Sequence, residues 1–299
     1  MMKANSMKRL LSWLDKEHVS AWFYLMPALM LLTLFAIYPT FRLIFDSFFE
    51  WDGMGDRLFV GLENYSQLLV DEEFWQTVKN SFVFIFGSVP AGMAISLIMA
   101  LLIQKHLIGR GFFRTVFFAP VVTSLVAAGL IFVWLLNYDY GILNLLLSKL
   151  GFAKIPWLTS EKYAMFSVII MTVWKDAGYN MILFLAGLNG ISSTYYEAAR
   201  IDGASRWQIF WKITWPLLMP TTFFILVIRI IFSFRTFEQI FAMTKGGPVG
   251  STTVFIYYIY EKAFKYFEIG YASAAAIILL VIVLAMTYFQ FKVVKYESH

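Results

Sequence analysis

The 299-residue sequence contains no cysteine and few charged residues, and each deficit excludes a class of protein. Without cysteine the chain can form neither disulfides nor thiolate metal sites. Charged residues make up 14% of the sequence, whereas a soluble domain carries about 25%. Hydrophobic residues make up 60%, with a mean hydropathy of +0.69. This surplus is too large for a single aqueous core, so the composition predicts an all-α, polytopic membrane protein.

Motifs for catalysis and cofactor binding are also missing. The sequence has no G-x-x-x-x-G-K-[ST] loop, so it cannot hold ATP in a phosphate loop of its own, and it has no H-E-x-x-H zinc motif. The three histidines, His18, His106 and His299, lie far apart, and no Ser/His/Asp grouping can be argued. We therefore expect no catalytic residue, no metal site, no cofactor in this chain and no enzymatic activity of its own.

Six apolar runs are long enough to cross a hydrocarbon core, which takes about 20 residues. They cover residues 22–45, 81–103, 115–136, 163–187, 217–241 and 271–291. The basic segment 1–21 precedes them and predicts an amphipathic helix on the membrane surface, in contact with lipid. A signal peptide is excluded because the next apolar run is too long and lacks a small-residue cleavage site. The predicted organisation is an N-terminal segment, 1–21; the first span with an acidic outer loop, 22–80; a transmembrane core, 81–291, containing the loop 188–216; and a tail, 292–299.

Loop charges predict the orientation of the chain. The tails 1–21 and 292–299 and the loops 104–114 and 188–216 together hold 12 Lys/Arg and 5 Asp/Glu. The intervening loops, 46–80, 137–162 and 242–270, hold 8 Lys/Arg and 12 Asp/Glu. The positive-inside rule therefore places both termini and the loop 188–216 in the cytoplasm. The same rule explains the net charge of +5, so the basic residues do not predict a nucleic-acid partner.

The loop 188–216 contains a helix, a tight turn and a second helix. Thr194 followed by Glu197 predicts a capping box at the start of the first helix. Asp202 and Gly203 end that helix, because glycine readily takes the left-handed conformation required there. Ser205 is expected to cap the second helix, and Pro216 is expected to end it. The pattern predicts a protruding structure between two membrane spans.

Polar residues inside the fourth and fifth spans form two helical stripes. Thr172, Lys175, Asp176 and Tyr179 share one face at i, i+3, i+4 and i+7, with Trp174 and Asn180 beside them. A second stripe comprises Arg229, Ser233 and Thr236. A buried charge is costly in a membrane, so these side chains should face protein or a water-filled cavity. They predict the lining of a path for a hydroxyl-rich solute; alternatively, an Asp176–Arg229 or Lys175–Glu238 ion pair only fixes how the helices pack.

One motif in the loop resembles that of a known family. Glu197-Ala198-Ala199, Gly203, Ile213 and Pro216 are similar in identity and spacing to the E-A-A, three residues, G, nine residues, I-x-L-P signature of membrane permeases in binding-protein-dependent ABC importers. Trp215 replaces the usual leucine. Further residues resemble the carbohydrate branch: Leu185–Leu188, Tyr196–Ser205, Gly246–Pro248, Tyr257–Phe264, Gly270–Ala274, Gly141–Asn144 and Pro156–Trp157.

This resemblance implies a type I ABC importer permease with six transmembrane helices in a bacterial plasma (inner) membrane. The loop 188–216 would carry the coupling helices, with Glu197, Ala198, Ala199, Asp202, Gly203, Ile213 and Pro216 meeting a separate ATPase. The implied partners are a second permease subunit, two ATP-binding subunits that hold ATP and Mg, and an extracytoplasmic solute-binding protein. The solute would be a sugar or oligosaccharide.

Three alternatives remain open from the sequence. A permease of the same architecture could carry glycerol phosphate, a polyol or another non-sugar solute, because Lys175, Arg229 and Arg235 suit an anion. A secondary transporter would be expected to show inverted repeats, which we do not find, and would give the loop 188–216 no role. That loop could also lie on lipid headgroups, where Glu197 and Asp202 would be poorly placed against anionic lipid.

Overall fold

A computed structural model of the chain describes residues 17–104 and 109–297. The described residues are mostly helical and include one short antiparallel hairpin, formed by β1, Phe49–Glu50, and β2, Leu58–Phe59. The α-helices are α1 Glu17–Leu32, α2 Tyr38–Asp46, α3 Glu63–Val70, α4 Glu72–Gln104, α5 Arg110–Val122, α6 Leu125–Leu135, α7 Ile142–Lys149, α8 Glu161–Asn189, α9 Ser193–Ile201, α10 Arg206–Ile209, α11 Trp215–Phe234, α12 Glu238–Met243, α13 Phe255–Tyr260 and α14 Ile269–Glu297. Three π-helical turns connect helices: Thr33–Ile37, Phe210–Thr214 and Glu261–Lys265.

The predicted all-α, polytopic membrane fold is confirmed. Within the described residues, five helical segments are long and apolar enough to span a membrane, and one bent pair makes a sixth candidate. The five segments are Tyr24–Asp46, Glu72–Gln104, Glu161–Asn189, Arg206–Phe234 and Ile269–Lys292.

The third span is not the continuous helix that the run 115–136 predicted. It consists of α5 and α6, which meet at an angle of 98°. Pro120 lies in the last turn of α5, and Thr123 and Ser124 have extended backbones, so the helical ladder stops between the two helices. Lys175 of α8 donates hydrogen bonds to the carbonyl oxygens of Pro120 (2.7 Å) and Val121 (2.9 Å). A side chain from another span thus satisfies the carbonyls that the break leaves unpaired.

The second and fifth spans also differ from their predicted bounds. Helix α4 begins at Glu72, so the predicted division at residue 80 falls inside it. Helix α11 ends at Phe234, and residues 235–237 separate it from α12, so the prediction of one helix through residue 241 was wrong. At the termini, residues 1–16 and 298–299 of the predicted tails lie outside the described residues, while residues 17–21 belong to α1 and 292–297 to α14.

Helices α4 and α8 form the centre of the bundle. The Ser96 hydroxyl of α4 lies 2.6 Å from the Gly92 carbonyl and 2.9 Å from that of Ala177 in α8. At the next residue of α8, a Cβ at Gly178 would overlap the backbone of Phe117 in α5. Small residues therefore let α8 approach both neighbours closely, in the manner common among membrane helices.

Hydrogen bonds hold the segments at the predicted outer end of the bundle together. The buried Asn144 donates to the Ile155 carbonyl (2.9 Å) and accepts from the Ile155 amide (3.0 Å) and the Trp157 indole (3.1 Å). Directly before α4, Asp71 accepts hydrogen bonds from the hydroxyls of Tyr258 (2.6 Å) and Tyr271 (2.7 Å). The latter contacts join the start of α4 to α13 and α14, and we refer to these three residues as the outer clasp.

Candidate functional site

The first helix of the loop 188–216 starts one position earlier than the capping prediction required. Ser192 is the residue that caps α9, and its hydroxyl accepts a hydrogen bond from the Thr194 amide (3.3 Å). Thr194 lies inside the helix, so the predicted Thr194–Glu197 capping box was wrong. The consequence is that the Glu197 side chain is not used to cap the helix and lies exposed.

The turn after α9 has the geometry expected around Gly203. Asp202 ends the helix, and Gly203 has φ +75°. The amide of Ala204 donates to the Ala199 carbonyl (2.9 Å), and the amide of Gly203 donates to the Arg200 carbonyl (3.1 Å). These two bonds form a Schellman motif, which reverses the chain sharply and satisfies the last carbonyls of the helix.

The second helix of the loop is continuous with the fifth span. Ser205 caps α10 as predicted, through a capping box in which Gln208 bonds back to the Ser205 amide (2.8 Å). The chain then passes through the π-helical turn Phe210–Thr214 directly into α11. Pro216 lies in the first turn of α11, beside the π-helical turn, where its missing N–H leaves one backbone bond of the continuous helix unmade. The prediction that Pro216 ends the second helix was therefore wrong, and the loop runs without a break into a membrane span.

The loop presents its motif residues on an open surface. Within this single chain, the exposed motif residues are Glu197, Ala198, Asp202, Gly203 and Pro216, whereas Ala199 is buried and Ile213 is half-buried. Ala199 and Ile213 therefore anchor the turn, and the others remain free for a partner.

A polar cavity of about 510 Å³ lies between the broken third span and the end of the fifth. It brings together seven of the predicted path residues: Thr172, Lys175, Asp176, Tyr179, Arg229, Ser233 and Thr236. The two polar stripes thus face one another across a single space. Trp174 and Asn180 do not line it: Trp174 contacts Phe132 and faces an apolar cavity, and Asn180 is buried in the bundle.

Ionic contacts fix the side chains on one wall of this cavity. Asp176 of α8 forms an ion pair with Arg229 of α11, as one of the sequence alternatives proposed. Lys175 does not form the alternative ion pair with Glu238 among the described residues; it binds the carbonyls at the end of α5. Two adjacent residues of α8 therefore tie the fourth span to the third and to the fifth.

The sequence stripes missed part of the lining. Arg235, Glu238 and Gln239 also face the cavity, together with the aromatic rings of Phe232 and Phe237. They were missed because helical spacing was extended through residue 241, whereas the chain leaves the helix at Arg235 and turns these side chains into the same space. The charged pair Arg235 and Glu238 near the end of an apolar run was the available signal.

Comparison with known proteins places the fold and loop in one family. Residues 92–295 match the family model described as "Binding-protein-dependent transport system inner membrane component". The chain belongs to this family. The predictions of an importer permease and of its EAA-type family are confirmed, and the permease is a multi-pass membrane protein.

Individual relatives span nearly the whole permease. A probable ABC transporter permease from Pyrococcus horikoshii is 36% identical over 90% of this chain and 94% of its own length. The sulfoquinovosyl glycerol transport system permease of Agrobacterium fabrum is 34% identical, covering 95% and 93%. A permease chain in the crystal structure of a bacterial alginate ABC transporter, in complex with an alginate pentasaccharide-bound periplasmic protein, is 26% identical with a TM-score of 0.81, covering 94% and 96%.

Proposed function

We propose that this permease forms half of the translocation path of an ATP-driven importer for a carbohydrate or carbohydrate derivative. The exposed motif in the loop 188–216 carries the proposal. A membrane chain without a phosphate loop needs an external energy source, and the loop offers an exposed carboxylate, Glu197, beside a sharp turn at Gly203. Two relatives named for their solutes, the sulfoquinovosyl glycerol permease and the alginate transporter, act on carbohydrates, which supports this solute class.

The partners follow from the same assignment. Two ATP-binding subunits would hold ATP and Mg and hydrolyse the nucleotide, and their closure would move the groove that receives the loop. Because α10 is continuous with α11 through the π-helical turn, that motion would pass directly into the fifth span. An extracytoplasmic binding protein would deliver the solute, a role supported by the periplasmic protein present in the alginate transporter complex.

A second permease subunit would complete the path. In this chain, Arg235 and Glu238 line the polar cavity and are exposed. A solute path must be closed on all sides within the membrane, and a partner permease facing this wall would close it. In the inner membrane, both termini and the loop 188–216 would face the cytoplasm and the acidic hairpin would face outside.

Charge reversal at Glu197 tests the proposed coupling. We expect Glu197→Lys to abolish co-purification of the ATP-binding subunits and solute uptake while leaving membrane insertion unchanged, because this exposed side chain forms no hydrogen bond or ion pair with the described residues. Asp56→Lys, at an exposed residue of the hairpin loop, makes the same charge change as a control. Normal uptake by Glu197→Lys would contradict the docking of this loop on an ATPase.

A further inference from the structure

Buried polar side chains at the end of the fifth span line the cavity. Ser233, Thr236 and Gln239 line it and are 6%, 4% and 7% exposed. The Ser233 hydroxyl oxygen is fully buried and has no hydrogen-bond partner among the described residues. A buried hydroxyl without a partner is costly, so a ligand that supplies the missing bond would be favoured at this cavity wall.

The cavity is lined by more cationic side chains than carboxylates. The cavity is lined by three cationic side chains, Lys175, Arg229 and Arg235, and by two carboxylates, Asp176 and Glu238. The ion pair between Arg229 and Asp176 cancels one charge of each sign. Lys175 and Arg235 then face Glu238 alone, which leaves the cavity with a net positive charge in a low-dielectric setting.

The broken third span adds a partial positive charge to the same space. Leu125, the first residue of α6, lines the cavity, and within the described chain the Ser124 side chain does not cap this helix. The first N–H groups of α6 are therefore unpaired at the cavity wall, where a helix N-terminus favours an anion. At the other side of the break, Lys175 neutralises the carbonyl end of α5.

We propose that the solute of this permease carries an anionic group (a carboxylate, sulfonate or phosphate on a sugar or polyol) and that Arg235, the Ser233 hydroxyl and the α6 N-terminus receive that group. This inference rests on the proposed role of the cavity as the solute path. Arg235 provides the cation, Ser233 provides a hydrogen-bond donor, and the rings of Tyr179 and Phe232 cover the apolar face of the sugar. A neutral sugar would hydrogen-bond the Ser233 hydroxyl but would bring no negative charge to offset the net positive charge of the cavity.

Cysteine labelling measures the sign of the cavity potential directly, because the native chain contains no cysteine. Val121→Cys places a thiol of similar size on the cavity wall. In the complete transporter in lipid nanodiscs, this thiol is reacted with the anionic reagent sulfonatoethyl methanethiosulfonate and with its trimethylammonium counterpart. Each rate is divided by the rate of the same reagent with free 2-mercaptoethanol.

We expect a corrected preference of about tenfold for the anionic reagent, because a positive cleft concentrates anions. Adding Arg235→Gln should remove most of this preference, whereas Lys149→Gln, which removes a charge from the exposed surface, should leave it unchanged. Equal rates, or a preference for the cationic reagent, would overturn the inference.

Solute protection separates this inference from the proposed function. Glucuronate should slow labelling of the Val121→Cys thiol, and glucose at matched ionic strength should not. Equal protection by both sugars would overturn the anion preference while supporting a solute path, and a lack of protection by glucuronate would overturn the anion site. The importer assignment is tested separately, by measuring solute uptake and co-purification of the ATP-binding subunits for the Glu197→Lys variant.

Discussion

Gly203 adopts φ +75°, and a Cβ at this position would meet no atom within 4 Å. Substitution there changes the backbone preference without creating a steric overlap. We expect Gly203→Val to cost about 1–2 kcal/mol at the turn, and to reduce coupled uptake by loosening the loop. Gly203→Asn is the matched control, because asparagine tolerates the left-handed region. Uptake measured in parallel should fall for valine and be largely kept for asparagine; equal loss in both would show that the side chain, not the backbone angle, matters.

The outer clasp makes the free energy of unfolding depend on pH. Partial burial alone would raise the pKa of the Asp71 carboxyl, but hydrogen bonds from Tyr258, Tyr271 and the amide of Glu73 outweigh it and hold this pKa below its ordinary value of 3.8. A lowered pKa contributes stability that is complete above the unfolded value and is lost as pH falls through the folded value.

We therefore expect the melting temperature to fall as the pH drops below about 4, with the clasp supplying part of the loss. Asp71→Asn should lower stability at pH 7 by about 1 kcal/mol, and should show a smaller further loss on acidification. Thermal unfolding of both proteins from pH 7 to pH 3 gives the comparison. If the melting temperatures of both proteins fell in parallel with pH, Asp71 would be excluded as a source of the acid sensitivity.

At the scale of elements, the position of α5 depends on the absence of a side chain at Gly178 of α8. Because a Cβ at Gly178 would overlap the backbone of Phe117, α5 would have to move away from α8. We expect Gly178→Ala to destabilise the bundle by about 1–3 kcal/mol, seen as a lower melting temperature in detergent. Gly111→Ala, in α5 itself, is the control, since its Cβ meets no atom within 4 Å. An unchanged melting temperature for Gly178→Ala would mean that the two helices are not tightly packed there.

Hydropathy predicted which segments cross the membrane, but not where their helices break. The length of an apolar run reflects the free-energy cost of exposing its side chains to water. A helix break depends instead on which group, often distant in sequence, hydrogen-bonds the backbone N–H and C=O groups that the break leaves unpaired. The 98° bend is stabilised by Lys175, more than fifty residues away from Pro120. The break after Phe234 falls where the apolar run gives way to Arg235 and Thr236, and the π-helical turn Phe210–Thr214 reverses the expected role of Pro216. Of the two caps in the loop 188–216, the one at Ser205 was predicted, whereas the one at Ser192 was assigned to Thr194.

For the whole molecule, the loop motif and the cavity were predictable to different degrees. The loop is local, so residue type and spacing from Glu197 to Gly203 predicted its turn. The cavity combines α5, α6, α8, α11 and α12, and spacing within one helix recovered only the stripes of α8 and α11. Arg235, Glu238 and Gln239 required knowledge of how the chain turns after the fifth span.

The orientation of the molecule is the prediction on which loop and cavity assignments both depend. The loop can meet an ATPase only from the cytoplasm, and the outer clasp must then face the opposite side. We expect a cysteine at Arg200→Cys in α9 to react with a membrane-impermeant maleimide only after the inner membrane is permeabilised. A cysteine at Glu72→Cys, beside the outer clasp, should react in intact spheroplasts. Both positions are exposed, and the native chain contributes no thiol of its own, so each signal comes from a single site. The reverse pattern would place Glu197 outside, away from any source of ATP, and would exclude the coupling role of the loop.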